Sequence, residues 1–190
     1  TAAHMAEDME GRIDAIVDGG PCSVGVESTI VDLTETPPRL LRPGGITLEQ
    51  LESVLGRVEV DQAVTRLMSA GEKPRAPGMK YRHYAPKAPV TVVAGPPERT
   101  AEHIARSLTP GDGVICFDEF AGEFPGCQIQ RMGPAGDKSA QARHIFDALR
   151  AFDHTEVPRI WAQCPDPSGL GLAINNRLNK AAGFHIVEVK

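Results

Sequence analysis

Val90-Thr91-Val92-Val93-Ala94 is the stretch from which the architecture can be read. It is β-branched almost throughout, too short for a helix, and runs straight into Gly95-Pro96-Pro97. That combination predicts a buried strand ended by a turn. Toward the C-terminus the same unit recurs. Glu98–Leu108 has the spacing of an amphipathic helix, and Gly113–Asp118 that of a second strand. Lys138–Phe152 reads as a long helix with Ala142, Ile145, Phe146 and Leu149 turned inward. Arg159–Gln163 predicts a third strand, Gly171–Ala182 a last helix stopped by Gly183, and Phe184–Val189 a final strand. Strand alternating with helix is the pattern of a parallel sheet, because parallel neighbours need a crossover and the crossover is the helix.

In the other direction the chain changes character. Ala76-Pro77-Gly78-Met79-Lys80-Tyr81-Arg82-His83-Tyr84-Ala85-Pro86 contains both tyrosines of the chain, and Lys73 to Pro97 holds five Lys or Arg and no acid, in a protein of formal net charge −5. Pro74, Pro77, Pro86 and Pro89 keep the run out of helix and out of a central strand, since each lacks a donor and fixes φ. An extended basic strap of this kind could lie over an anionic ligand, or it could be an interdomain linker made soluble by its lysines. In a polyproline-like path, residues 69 to 89 would reach roughly 60 Å, far enough to cross a domain face.

Before the strap, Thr1 suits the N-cap of a helix to about Glu10, with Gly11 as its stop. Ile13–Val17 reads as a short strand closed by Asp18-Gly19-Gly20-Pro21, and Val24–Leu33 as a longer one carrying Ser28 and Thr29 at its centre. Those hydroxyls either pair across a ladder or hold a small polar ligand. Arg39–Arg42 is the next strand. Arg42 stands just before Pro43-Gly44-Gly45, where a guanidinium could grip phosphate oxygens or form a surface ion pair. Thr47–Gly56 predicts a helix with a Thr47/Gln50 capping box and a stripe of Leu48, Leu51, Val54 and Leu55, followed by a strand near Val58–Val60.

At 190 residues, 41% hydrophobic and 24% charged, the chain is an ordinary globular sequence with no apolar run near the length of a membrane span. Cys22, Cys116, Cys127 and Cys164 form no C-x-x-C pair and read as reduced, mostly buried thiols of a cytoplasmic protein, which argues against zinc. The negative net charge argues against a general nucleic-acid binder. Ser168-Gly169-Leu170-Gly171 opens the last helix and could bind an anion there, but it is not G-x-G-x-x-G, and tight packing explains it better. No Walker loop, H-E-x-x-H or G-x-S-x-G occurs.

Four ordered motifs go further. Asp14–Pro21, Val24-Gly-Val-Glu-Ser-Thr-Ile30, Leu41-Arg-Pro-Gly-Gly45 and the Ala76–Pro86 strap together resemble the Sua5/YrdC/TsaC family of threonylcarbamoyl-AMP synthases. Gly169–Leu178 resembles the end of the extra C-terminal domain of the two-domain Sua5 branch. The resemblance implies an α/β protein in three parts. Residues 1–62 would be the rear of a YrdC-like synthase domain, 63–89 an extended basic linker over the active site, and 90–190 a Rossmann-like parallel α/β domain.

It also implies a nucleotidyltransferase that joins L-threonine, bicarbonate or CO2, and ATP into threonylcarbamoyl-AMP and pyrophosphate, on the route to the t6A modification of tRNA. Ser28 would contact threonine and Arg42 the ATP phosphates, with Tyr84 or Tyr81, and His83, touching ATP from the strap; Tyr84, beside His83, is preferred. ATP would arrive as a substrate with magnesium, no metal site or tightly bound cofactor is expected, and the product would pass to a downstream t6A transferase. The resemblance leaves direct tRNA contact open. The family's K-x-R pair and S-x-N motif are not in this sequence, and Thr1 matches the end of the Ser-Pro-Thr of the S-x-N region, so the catalytic residues themselves are unassigned and the chain alone is expected to be inactive. The rival readings are a stand-alone nucleotide-binding regulatory module and an RNA-binding protein using the strap.

Overall fold

The computed structural model describes residues 1–69, 71–79 and 85–190. Its larger part is a five-stranded sheet of β4 (Val90–Ala94), β5 (Gly113–Cys116), β6 (Gln128–Arg131), β7 (Ile160–Cys164) and β8 (Ile186–Glu188), in the order β6-β5-β7-β4-β8. Every pairing is parallel. Consecutive residues of each inner strand face opposite sides, as the pleat requires. Val92, Ile115 and Ala162 enter one core with Ile145, Leu149, Ile174 and Leu178 of helices α5 (Lys138–Arg150) and α6 (Gly171–Ala181). Val93, Val114 and Trp161 enter a second core with Ala101 and Ile104 of α4 (Pro97–Ser107). The result is the expected parallel α/β sandwich, with helices on both faces.

β6 was not expected from the sequence. Gln128, Gln130 and Arg131 give it no apolar alternation, and it forms because it adds to the exposed edge of β5. The Lys138–Phe152 helix ends at Arg150 and continues as a 3₁₀ turn over Ala151–His154. Cys116 and Cys164 are buried, and loss of hydration pushes both thiols up to about 12; Cys22 is exposed.

The first part is less regular. Helix α1 (Ala2–Met9) is capped by Thr1 and tied to α5 through Arg150, which reaches Glu7 at 3.1 Å and Asp8 at 2.5 Å. A small sheet of β1 (Ile30–Asp32), β2 (Arg39–Arg42) and β3 (Glu59–Val60) follows, with α2 (Leu48–Leu55) between β2 and β3 and a single turn, α3 (Gln62–Thr65), after it.

Three expectations are corrected here. Ile13–Val17 is not a strand, and Ile13, Ile16 and Val17 are exposed, Val17 at 97%. The Val24–Leu33 strand is real only from Ile30. Gly25 has φ +85° and lies so close to α5 that a Cβ would come within 2.4 Å of the Ala142 carbonyl. Further along, the Ser28 carbonyl is taken from the ladder by Arg42 Nε, and the Thr29 side chain ties the segment to Ile46, its Oγ1 donating to the Ile46 carbonyl and accepting from the Ile46 N–H. The stripe of α2 is largely uncovered, with Val54 82% exposed, although its capping box and Gly56 stop form as predicted.

Candidate functional site

The local bend at residues 25–29 places the site. Because segment 27–29 leaves the β1 ladder, it folds against the end of β2. Gly44 allows this contact, since a Cβ there would sit 2.1 Å from the Glu27 carbonyl and 2.6 Å from Thr29 N. Ser28 and Arg42, fourteen residues apart in sequence, are thereby joined: Arg42 Nε donates to the Ser28 carbonyl at 3.0 Å and Nη2 to Ser28 Oγ at 3.1 Å. Two bonds from one planar guanidinium fix its plane as well as its position.

Arg42 and Glu27 form one wall of a cavity of about 140 Å³, which Pro77-Gly78 of the strap covers. The opposite wall is α6, through Asn176, Arg177 and Lys180. Arg177, 4% exposed, donates from Nε to Glu27 at 2.6 Å and from Nη2 to the Pro43 carbonyl at 3.1 Å. It therefore grips the residue beside Ser28 and the residue beside Arg42 at once. Asn176 donates to the Val64 carbonyl at 2.8 Å, and Lys180 Nζ donates to the carbonyls of Gly78 and Met79. Among the described residues, three cations and one carboxylate around this small enclosure leave an excess of two positive charges. Burial first, and then Arg177 and Arg42, push the Lys180 ammonium down to about 8, with Glu27 opposing. An enclosure of this charge suits an anionic ligand.

Met79 anchors the strap. It is 6% exposed in a small cluster with Leu41 and Ala63, and Arg75 pairs with Asp32 and Glu35. Tyr81, His83 and Tyr84 lie outside the described residues. Among the described residues no group of three or more His, Cys, Asp or Glu is placed to hold a metal ion.

The sequence reading left Glu27, Asn176, Arg177 and Lys180 without a role. For the last three a helical pattern was nevertheless present on α6. Ala173, Asn176, Arg177 and Lys180 follow the i, i+3, i+4, i+7 spacing of one helix face, while Ile174, Leu178 and Ala181 occupy another. Both faces are buried, one on the sheet and one on the first part of the chain.

Two other places where an α/β domain could take a ligand are filled by the chain itself. β4 and β7 are neighbours whose following connections leave toward opposite edges of the sheet, which is where open α/β sheets bind ligands. There Gln163, fully buried, donates to the Pro97 carbonyl and Thr100 Oγ1 and accepts from Phe117 N. At the glycine-bearing start of α6, Gly169 N–H already donates to Glu49 of α2 at 3.0 Å, which holds the Glu49 carboxyl below its usual range. That loop does bind an anion, but one belonging to the same chain.

The family model described as threonylcarbamoyl-AMP synthase, C-terminal domain, matches residues 46–183. The chain belongs to that family. A second model, described as telomere recombination and named for Sua5, YciO and YrdC, matches residues 1–44. The threonylcarbamoyl-AMP synthase of Bacillus subtilis is 44% identical over 189 residues, covering 98% of this chain and 54% of that protein. The Pyrococcus abyssi synthase is 43% identical over 193 residues, covering 100% and 55%. Among solved structures, Pyrococcus abyssi Sua5 complexed with L-threonine superposes with a TM-score of 0.81 at 40% identity, covering 100% of this chain and 55% of that one. The chain thus spans about half the length of the curated relatives it matches.

Proposed function

We propose that this chain supplies one wall of an L-threonylcarbamoyladenylate synthase site. The observation that carries the proposal is the Ser28–Arg42 pair, joined at 3.1 Å beside a cationic cavity under the strap, in a chain similar throughout to a synthase structure complexed with L-threonine. In the reaction, the threonine amine adds to CO2 and loses a proton, or condenses with bicarbonate and loses water, giving the carbamate. A carbamate oxygen then attacks the α-phosphorus of ATP while the bond to the β-phosphate oxygen breaks and pyrophosphate leaves. Charge accumulates on phosphate oxygens, so fixed cations that need no reorganisation are the main contribution open to this wall.

In this reading Arg42, its plane fixed by Ser28, binds ATP phosphates, and the exposed Ser28 hydroxyl meets threonine. The strap excludes water from an acyl-adenylate that water would hydrolyse. His83, Tyr81 and Tyr84 are placed against ATP by resemblance alone. Magnesium accompanies the nucleotide, bicarbonate is the third substrate, the product passes to the t6A transferase machinery, and the protein works in the cytoplasm. The division at residues 62/63 and 89/90 belongs to the same proposal, with the three-stranded sheet ending at Val60 and the parallel sheet beginning at Val90.

The test is a chimaera in which the front half of the Bacillus subtilis relative is joined to this chain. Pyrophosphate release that needs both ATP and L-threonine is expected from the chimaera and not from the 190-residue chain. Arg42→Met should raise the KM for ATP by at least about tenfold, the worth of one charge-assisted contact. Ser28→Ala should act on the KM for threonine. Release by the chimaera that neither substitution alters would refute the assignment.

A further inference from the structure

The strap is fastened at two kinds of point. Arg75, through Asp32 and Glu35, and the Met79 side chain, through Leu41 and Ala63, tie it to the three-stranded sheet, which also carries Arg42. Its backbone at the cavity is held from elsewhere. Gly78, at φ +82°, turns the chain so that its own carbonyl and that of Met79 both point at Lys180 Nζ on α6. Lys180 is 8% exposed, and among the described residues no carboxylate lies within ion-pair distance of it. The carboxylate that faces it, Glu27, is bonded by Arg177 instead. A buried ammonium given two strap carbonyls as its partners makes the strap part of its solvation.

We infer that Lys180 is a positioning residue: from α6 it holds the Gly78-Met79 turn over the Arg42 cavity, so the helix packed on the five-stranded sheet sets where that turn sits. The consequence for catalysis rests on the proposed synthase reading; the latch itself does not. Among the described residues, the charged groups facing Lys180 are Arg177 on its own helix, Arg42 on β2 and Glu27 before β1. Burial, and after it the two cations among these three, make the seated ammonium give up its proton more easily than a solvated one. Releasing the strap would hydrate Lys180 and return it to the ordinary lysine range. Release therefore takes up a proton, and it becomes less favourable as pH rises from about 8 toward about 10.4.

The latch is testable on the 190-residue chain without ligand, by tryptic cleavage after Arg75 and by the methyl NMR signal of Met79. Lys180→Met keeps the apolar stem and removes the donors, whereas Lys180→Arg keeps donors and a charge that does not titrate. Lys180→Met is expected to speed cleavage by about fivefold or more and to move the Met79 methyl toward its solvent position, with hydrogen exchange of the five-stranded sheet unchanged. Lys180→Arg should stay within about twofold of the parent. Between pH 7 and pH 10 the released fraction should fall by on the order of fiftyfold in the parent and stay flat in Lys180→Arg. Parental cleavage and an unmoved methyl in Lys180→Met, or a flat parental pH profile, would overturn the inference. In the chimaera, Lys180→Met should raise the KM for ATP more than it lowers kcat. A loosened strap with unchanged KM would sever the latch from the phosphate wall, while the Arg42 variant reports independently on whether that wall binds ATP.

Discussion

In the five-stranded sheet, Val92, Val93, Val114, Ile115, Ile160 and Ala162 are all fully buried, and the helices on either side close over them. In the three-stranded sheet β2 alone is well covered, through Leu40 and Leu41, while Ile46 and Val54 nearby are 53% and 82% exposed. The second region keeps its shape by polar ties to the first: Glu7 and Asp8 to Arg150, Glu27 to Arg177, the Val64 carbonyl to Asn176, and Glu49 to Gly169. A region with its own apolar core is held by burial, which needs no particular geometry. A region held by hydrogen bonds is only as well placed as the groups that make them. Ser28 and Arg42 lie in the second kind of region, so the geometry of their site is lent to them by α6.

This contrast can be broken by experiment, most sharply in the core. Ile174→Ala should cost about 3–4 kcal/mol in urea unfolding, because it empties a fully buried position. The contrast fails if Val54→Ala on α2 costs as much. Arg177→Met comes next, at about 2–3 kcal/mol, since it leaves the half-buried Glu27 carboxylate unpaired. Hydrogen exchange should rise at Thr29 and Ile30 and not in β4 or β7; a uniform rise would mean the two regions unfold as one. Gly44→Ala should cost about 2 kcal/mol, the usual penalty for overpacking. Its larger effect would be to push residues 27–29 away from Arg42, visible as weaker ATP binding to the chimaera.

The acid limb gives a smaller effect. Lys138 and Ser168 hold the Asp166 carboxyl down to about 2, and the Gly169 N–H holds Glu49 below its usual range. A depressed carboxylate stabilises the fold above the ordinary carboxylate range, and that stability is lost as pH falls through the lowered pKa. Asp166→Asn and Glu49→Gln should therefore flatten stability between about pH 4.5 and pH 2. Because Asp166 is 66% exposed, solvent screening limits the change to a few tenths of a kcal/mol, roughly. Smallest of all is Val54→Ser, expected within about 0.5 kcal/mol by thermal unfolding.

Most of the larger unit was legible beforehand because its strands are continuous apolar runs and its helices carry caps and stops that act locally. β6 was not, since an edge strand with polar side chains is defined by its neighbour. The opposite error, reading strands into Ile13–Val17 and Val24–Thr29, came from β-branched composition. Propensity says that a residue suits a sheet, not that a partner strand is there to receive it. Of the candidate site, Ser28 and Arg42 were singled out by motif, whereas Glu27 was passed over in a run taken for strand, and Arg177 and Lys180 because a polar helix face does not name what it meets.

The amino-acid order on its own determined the elements that depend on neighbours within a few residues: the Thr47 cap, the glycine stops, the β–α alternation and the proline-interrupted strap. Only the tertiary structure decided that α6 is buried on two faces, that its cations converge on Arg42, and that the start of α6 is filled by Glu49. Those contacts join residues more than a hundred positions apart. No local rule carries information across such a distance. It appears once the cores have closed and fixed which side chains are left facing one another.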